Sequence, residues 1–384
     1  MTDVLLPGDT APADADASPS IATATQATPY LDFDVPHAVA TYRRLSAALP
    51  ETALHYAVKA NPEPRLLEAL ARAGCRFDVA SPAEITAALL AGAAPGDLVY
   101  SNPVKRRDDV RFAARLGVDL FAVDSPAEVA KVAEAAPGSR VLARLVTSGD
   151  GSDWPLSRKF GCSTGEVVDL LRQAAARGLH ADGVSFHVGS QQRDPESWRA
   201  PIEAAASIFK TLRADGLDPW LLDLGGGFPA RLDEGCPAPE AYGAAIERHL
   251  SAAFGDQRPT TIAEPGRGIA ADAGVLVATV VGVVHRAGIR WVFLDAGVFT
   301  GLVETLDEAI RYPLGTDRTG PTGPCVLAGP TCDRTDVLYE DVPVELPLAL
   351  IEGDRVRFHG AGAYTATYST IGFNGFAPLA TVVR

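Results

Sequence analysis

Cysteine is sparse in this chain: only Cys75, Cys162, Cys236, Cys325 and Cys332 occur among 384 residues, and no two form a Cys-x-x-Cys pair. An odd count in a chain too large to need staples excludes a disulfide framework and fits reduced thiols in a cytoplasmic protein. Long apolar runs are missing as well. None approaches the roughly 18 residues of a membrane span, although 47% of the residues are hydrophobic, so a sizeable core and no membrane partner are expected. Positive charge is short: 34 Lys and Arg face 48 Asp and Glu, a net charge of −14. That balance disfavours nucleic acid and favours a cationic substrate. The N-terminus lacks a basic region followed by an apolar run, so no secretory signal is expected. Residues 1–28 carry almost nothing to bury and read as a disordered arm outside the fold.

What is present is alternation. From Leu54 to Glu264, short β-prone apolar runs alternate with stretches of helical period. The expected strands are Leu54–Lys59, Phe77–Ala80, Leu98–Ser101, Leu120–Val123, Arg140–Val146, Gly183–His187, Trp220–Leu224 and Thr261–Glu264. The intervening helices are expected near Glu63–Ala73, Ala83–Ala91, Arg107–Leu116, Ala127–Ala135, Gly165–Arg177, Glu196–Ala214 and Glu240–Phe254. Ser81-Pro82 and Ser125-Pro126 are helix starts, with a serine cap followed by a proline suited to the first turn. Eight β–α alternations in this length predict an α/β fold of the (β/α)8 TIM type over residues 36–274. No Gly-x-Gly-x-x-Gly follows the first strand, which weakens a dinucleotide-binding reading. After Gly274 the texture turns β-rich, with helical pattern only near Leu302–Ile310. A mainly β domain over residues 275–384 is expected, joined from the front by residues 29–35. There is no internal repeat.

A barrel of this type collects polar strand ends at one face, the usual seat of an active site. Lys59, Asp78, Arg144, His187, Gly225–Gly227 and Glu264 are those ends. Each has a bland alternative: Lys59 as a snorkelling strand-end residue, His187 as a satisfied core histidine, Asp78 with Arg144 as a structural ion pair, the glycines as a tight turn. The glycines gain weight because three in a row let backbone N–H groups approach an anion closely. They and the loop Glu264-Pro265-Gly266-Arg267-Gly268 follow the last two strands, where barrels commonly hold a phosphate. A phosphate site and a lysine amine in one mouth suggest pyridoxal phosphate. The lysine amine condenses with the aldehyde, and a carboxylate such as Glu264 keeps the ring nitrogen protonated. A flat imidazole such as His187 stacks on the ring. No metal is expected.

The runs Tyr56-Ala57-Val58-Lys59-Ala60-Asn61, Phe77-Asp78-Val79-Ala80-Ser81, Ser185-Phe186-His187-Val188-Gly189-Ser190, Leu222-Asp223-Leu224-Gly225-Gly226-Gly227-Phe228-Pro229 and Ala263-Glu264-Pro265-Gly266-Arg267 resemble the ornithine/diaminopimelate/arginine decarboxylase family of fold type III pyridoxal-phosphate enzymes. Gly329-Pro330-Thr331-Cys332-Asp333, Gly362-Ala363-Tyr364-Thr365 and Phe373-Asn374-Gly375-Phe376 narrow the resemblance to the ornithine decarboxylase branch, in its bacterial form. It covers about Tyr30 to the C-terminus. It implies a barrel plus a β domain, with Lys59 linked to the cofactor, His187 stacked on it and Glu264 at the ring nitrogen. Ser190, Gly225–Gly227, Gly266, Arg267 and Tyr364 hold the phosphate, and Asp78 and Arg144 lie near the Schiff base. Family members are homodimers with shared sites. Cys332 is accordingly implied as the proton donor to the substrate carbon and Asp333 as a ligand of the distal ammonium, both crossing into the partner's site; Phe373 is expected to line that site. Read without the family, Cys332 is a small buried hydrophobe. Asp307 and Glu308 stand where the family keeps its specificity helix, and either acid can be the one that faces substrate. Acids there disfavour a diaminopimelate substrate, whose distal carboxylate calls for an arginine. The implied reaction is decarboxylation of L-ornithine to putrescine. The alternatives are a lysine or dual lysine/ornithine decarboxylase and a catalytically inactive regulatory homologue.

Overall fold

The computed structural model describes residues 26–156 and 159–384. Its first strand, β1 (Tyr30–Phe33), and first helix, α1 (Val35–Ala48), lead into a run of alternating elements. These are β2 (Thr52–Ala57), α2 (Pro64–Arg72), β3 (Arg76–Val79), α3 (Pro82–Leu90), β4 (Leu98–Tyr100), α4 (Arg107–Arg115), β5 (Leu120–Val123), α5 (Pro126–Ala135) and β6 (Arg140–Arg144). After a short strand β7 (Ser152–Trp154) come α6 (Thr164–Ala176), β8 (His180–Ser185), β9 (Ser190–Gln192), α7 (Arg199–Ala214), β10 (Leu221–Asp223), α8 (Pro239–Phe254) and β11 (Thr260–Ala263). The parallel strands β2, β3, β4, β5, β6, β8, β10 and β11 close into a barrel, while β7 and β9 pair as a small antiparallel ribbon above it. The fold is thus the expected eight-stranded barrel, each of its strands overlapping the run that predicted it. The serine starts behave as their chemistry dictates: Ser81 and Ser125 accept from the Glu84 and Glu128 N–H groups, with Pro82 and Pro126 in the first turn.

The helical ring closes in an unexpected way. After β11 the chain leaves the barrel through the short helix α9 (Arg267–Ala270), so no helix follows the last strand to complete the ring. The place is taken by α1, which packs between α2 and α8. Its start is well made, since Asp34 accepts from the His37 N–H at 2.9 Å, yet the β–α alternation gives no cue to a helix that comes before the first strand.

The second unit is a nine-stranded sheet. It comprises β1, β12 (Gly274–Arg286), β13 (Ile289–Leu294), β14 (Leu314–Thr316), β15 (Thr322–Ala328), β16 (Val337–Leu338), β17 (Val344–Pro347), β18 (Arg355–His359) and β19 (Ala380–Val383). β1 lies between β12, antiparallel, and β19, parallel, so the front of the chain does join this sheet. The arm expected over residues 1–28 falls mostly outside the described residues. Its last part is anchored: Gln26 accepts from Arg355 at 2.9 Å, and Thr28 hydrogen-bonds Thr279 and Asp295. The helix expected over Leu302–Ile310 is not continuous. Val303–Glu308 is 3-10 helical, with Leu306 extended and both Asp307 and Glu308 at φ 52°. Among the described residues, no helix is long and apolar enough to cross a membrane.

Strand periodicity sets the interior of the barrel. Side chains alternate faces along a strand, so one inward position is followed by another two residues on. Val99, Leu120, Leu142, Leu221 and Ile262 form an apolar layer separate from the main core, with Ala53 packed on it. Two residues further toward the C-terminal end, the same strands and their exits carry Ser101, Ala122, Arg144, Asp223, Glu264 and His55. The apolar layer is the floor, and the polar layer above it faces the mouth.

Candidate active site at the barrel mouth

Lys59 lies not on β2 itself but in a single 3-10 turn, Val58–Ala60, just beyond it. Loops from both units hold this turn. Ala57 N–H donates to the Pro265 carbonyl at 3.1 Å, Tyr364 N–H to the Ala60 carbonyl at 2.9 Å, and Asn61 Nδ2 to the Gly362 carbonyl at 2.9 Å. The Lys59 side chain keeps 44% of its surface accessible while its amine donates to the fully buried Asp78, which also accepts from Ser101. Asp78 is therefore the partner of Lys59 and not of Arg144. Burial alone would lower the Lys59 pKa, but Asp78, followed by Tyr364 and Glu264, outweighs it and holds the ammonium above its ordinary value.

His187 stands two residues past the end of β8, and its Nδ1 accepts from the Gly189 N–H at 3.0 Å. The neutral ring thus carries its proton on Nε2. Burial first, then the charges of Arg144 and Lys59, keep this ring well below the ordinary histidine pKa. Neutral and half-buried, it stands at the mouth beside Gly226. The glycine run fits against it closely. A Cβ on Gly226 would come within 2.8 Å of His187 Nε2 and 2.7 Å of the Glu264 carbonyl, and one on Gly225, at φ 65°, would collide with the Phe186 carbonyl at 1.9 Å. The run is a backbone wall of the mouth, beyond what a turn alone requires.

Glu264 and Asp223 are a buried acidic pair. Burial pushes Asp223 up to about 6 against the pull of the Gly225 N–H, and burial followed by the charges of Asp223 and Asp78 pushes Glu264 well above the carboxylate range. Glu264 Oε1 and Asp223 Oδ2 are both buried without a hydrogen-bond partner, as is Ser185 Oγ. Orphaned buried acceptors are costly and call for a donor supplied by something else. A protonated ring nitrogen opposite Glu264 meets that need.

Arg267, at the start of α9, is 3% exposed. Its Nε donates to Ser190 Oγ at 3.2 Å, its Nη2 to Glu304 Oε1 at 2.6 Å, and its guanidinium stacks 5.0 Å from the Tyr364 ring centroid. Nη1 is buried without a partner. Tyr364 has φ 57°, and burial raises its hydroxyl to about 12. Gly266 sits under that hydroxyl, where a Cβ would approach it to 2.9 Å. Ser190, Gly266, Arg267 and Tyr364 therefore converge, with one guanidinium nitrogen, Nη1, left over. An unsatisfied cationic donor fits a phosphate, just as the Glu264 acceptor fits a ring nitrogen. The mouth accordingly suits pyridoxal phosphate, and the Lys59 amine stands in it on Asp78. A cavity of about 820 Å³ beside it, lined by Leu145, Thr147, Ser148, Asp150 and Val188 among others, contains none of these residues.

The remaining predicted residues stand apart from Lys59. Cys332 is exposed, not the small buried hydrophobe that residue type suggests, and its sulfur meets Asn374 Nδ2 at 3.4 Å. Asp333 is also exposed and accepts from the Thr335 N–H at 2.8 Å. Phe373 stacks on Phe299, with centroids 4.5 Å apart. Glu308 accepts from Arg311 and from the Asp341 and Val342 N–H groups, so both of its oxygens are engaged, whereas Asp307 is exposed. Sequence reasoning missed Ser101, Ser185, Asp223 and Glu304 as site residues. The first three are inward positions by strand period, a signal that was there to follow; Glu304 had none.

The model of the pyridoxal-dependent decarboxylase pyridoxal-binding domain matches residues 36–271. Lysine/ornithine decarboxylase of Selenomonas ruminantium is 34% identical over 358 residues, 93% of this chain and 89% of that protein. Chloroplastic ornithine decarboxylase of Nicotiana glutinosa is 34% identical over 366 residues, 91% of this chain and 82% of its own length. The solved lysine/ornithine decarboxylase of Vibrio vulnificus, complexed with putrescine, has TM-score 0.84 and 33% identity, covering 93% of this chain and 94% of that one. With this likeness along nearly the whole chain, the protein belongs to the pyridoxal-phosphate-dependent amino-acid decarboxylases.

Proposed function

We propose that this decarboxylase acts on L-ornithine, giving putrescine and carbon dioxide, and that its active form is a homodimer with shared sites. The observation that carries the substrate reading is the division of labour in residues 303–308. Glu304 is committed to Arg267 and Glu308 to Arg311 and the 341–342 backbone, which leaves Asp307, at φ 52°, as the exposed carboxylate for a distal ammonium. A distal carboxylate would be repelled there. The names of the relatives support the same substrate class.

In this reading the cofactor supplies the electron sink for carbon dioxide loss. Asp78, braced by Ser101, aims the Lys59 amine and stabilises its charge. Glu264 holds a proton at the ring nitrogen, Asp223 keeps Glu264 company in the low-dielectric floor, and neutral His187 covers one face of the ring without adding a competing charge. Ser190, the Gly225–Gly227 backbone, Gly266, Arg267 and Tyr364 take the phosphate, while Arg144 balances the acids. Asp307 binds the distal ammonium together with Asp333 of a second copy. Cys332 of that copy gives its thiol proton to the substrate carbon that has lost carbon dioxide. Exposure of Cys332, Asp333 and Phe373 within one chain supports a partner that covers them.

The test is kcat/KM measured for ornithine, lysine, arginine and diaminopimelate. Ornithine leading, and Asp307→Asn raising its KM, is the expected result; no turnover of any of the four by cofactor-loaded protein would overturn it. A dual lysine/ornithine activity is the second reading, favoured by the Selenomonas relative's name. One methylene is worth about 1–3 kcal/mol, so lysine turnover within about a hundredfold of ornithine is compatible with that reading.

A further inference from the structure

Glu304 is buried to 2% exposure in the short broken helix of the β domain, far in sequence from any motif of the barrel. Its Oε1 accepts from Arg267 Nη2 at 2.6 Å, and its Oε2 has no partner. Burying a carboxylate against a single guanidinium is expensive unless the pair fixes something that matters. Here it fixes the direction of Arg267. With Nε on Ser190, Nη2 on Glu304 and the guanidinium over Tyr364, the orientation of the guanidinium is fixed, and the one nitrogen left without a partner is Nη1. Tyr312, whose hydroxyl is also buried without a partner, lies beside the same pair.

We infer that Glu304 is a positioning residue for the phosphate site: it clamps Arg267 so that Nη1 presents to the cofactor phosphate, and through the 303–308 segment it ties that site to Asp307. The inference rests on the reading of Arg267 as a phosphate ligand. A carboxylate next to a phosphate dianion gains nothing from direct contact, so its value lies in orientation. The groups that face it are Arg267 foremost, then Tyr312, Tyr364 and Tyr368. Burial raises the Glu304 pKa while Arg267 opposes the rise.

The experiment is equilibrium binding of pyridoxal phosphate and of pyridoxal, which lacks the phosphate, to cofactor-stripped full-length protein, in wild type and in Glu304→Gln, Glu304→Asp and Arg267→Met, each checked for native circular dichroism. Glu304→Gln keeps an acceptor at the right reach and is expected to retain pyridoxal phosphate affinity within about threefold. Glu304→Asp is one methylene too short to clamp and is expected to lose about tenfold or more, a typical loss for a hydrogen bond to a charged group. Pyridoxal affinity should not move in either, which a general loss of packing would not reproduce. Should Glu304→Asp bind pyridoxal phosphate as wild type does while Arg267→Met loses affinity, the clamp is wrong and the phosphate ligand stands. If Arg267→Met itself leaves the preference for pyridoxal phosphate over pyridoxal unchanged, the underlying reading of Arg267 fails. Equal losses of pyridoxal and pyridoxal phosphate in the Glu304 variants would overturn the positioning role in favour of a structural one.

Discussion

The barrel mouth and the loops around Cys332 carry residues of the same kind in opposite states. At the mouth the polar groups are held by partners from the same chain: Asp78 between Lys59 and Ser101, His187 against Gly189, Arg267 between Ser190 and Glu304. Among the buried orphans there, Glu264 Oε1 and Arg267 Nη1 are of opposite character, an acceptor and a donor, as a ring nitrogen and a phosphate would require. Around Cys332 the neighbours are a turn, Asn374 and solvent, and Ile371, Phe373 and Phe376, which flank that asparagine in sequence, are exposed. The first region is finished within one chain except for its cofactor. The second is finished only if something covers it, and a second copy of the chain is the proposed cover.

The sharpest break of this contrast is removal of the amine. Lys59→Ala should lower decarboxylation about a thousandfold or more, since loss of a covalent catalytic group removes the reaction path itself; a smaller loss in a turnover assay would leave the mouth without its organising residue.

The enclosure of the barrel can be tested by acid. His55, on β2 below the turn that carries Lys59, is buried, and burial lowers its pKa to about 4 despite a bond to the Ala53 carbonyl. A lowered base favours folding where it is neutral in both states and loses that contribution when only the unfolded chain takes the proton. Its contribution is therefore complete above about pH 6.5 and falls away toward pH 4, by up to about 3 kcal/mol. Urea midpoints measured across that range should drop in wild type and drop less in His55→Gln.

The open region is tested by Cys332→Ala. Loss of a proton donor should cost about a hundredfold in kcat. Mixed with Lys59→Ala to form heterodimers, the two impaired chains should regain part of the wild-type activity, because one of the two sites then has both groups. Heterodimers that form but stay inactive would put Cys332 in its own chain's site or in none. Finally, Gly226→Ala adds one methyl to the mouth without touching a charge. The clash with His187 Nε2 and the Glu264 carbonyl should weaken pyridoxal phosphate binding about tenfold, measured by fluorescence quenching. An unchanged affinity would mean that the wall can give way.

The barrel was legible because its strands are buried on both faces and so read as apolar runs between helical stretches. Lys59, Asp78, His187 and Glu264 were legible as polar residues at the ends of such runs. The helix α1 was not, since it fills the last place in the ring from the front of the chain, and alternation counts from the first strand. Residues 302–310 carry apolar side chains at helical spacing, yet Glu304 on Arg267 and Glu308 on the 341–342 backbone pull the segment into left-handed backbone at Asp307 and Glu308. Tertiary anchors overrode a local pattern, and no window of sequence contains both ends of those anchors. Strands of two or three residues, β14 and β16, are too short to show any period.

The placement of β1 has a consequence for how the protein is made. One edge of this strand is paired by β12 and the other by β19, residues 380–383. During synthesis β1 therefore acquires its second neighbour only once residues 380–383 have emerged, long after β12 is available. A nascent chain stopped short of Ala380 would display β1 with an open edge, the kind of surface that chaperones and aggregating chains recognise.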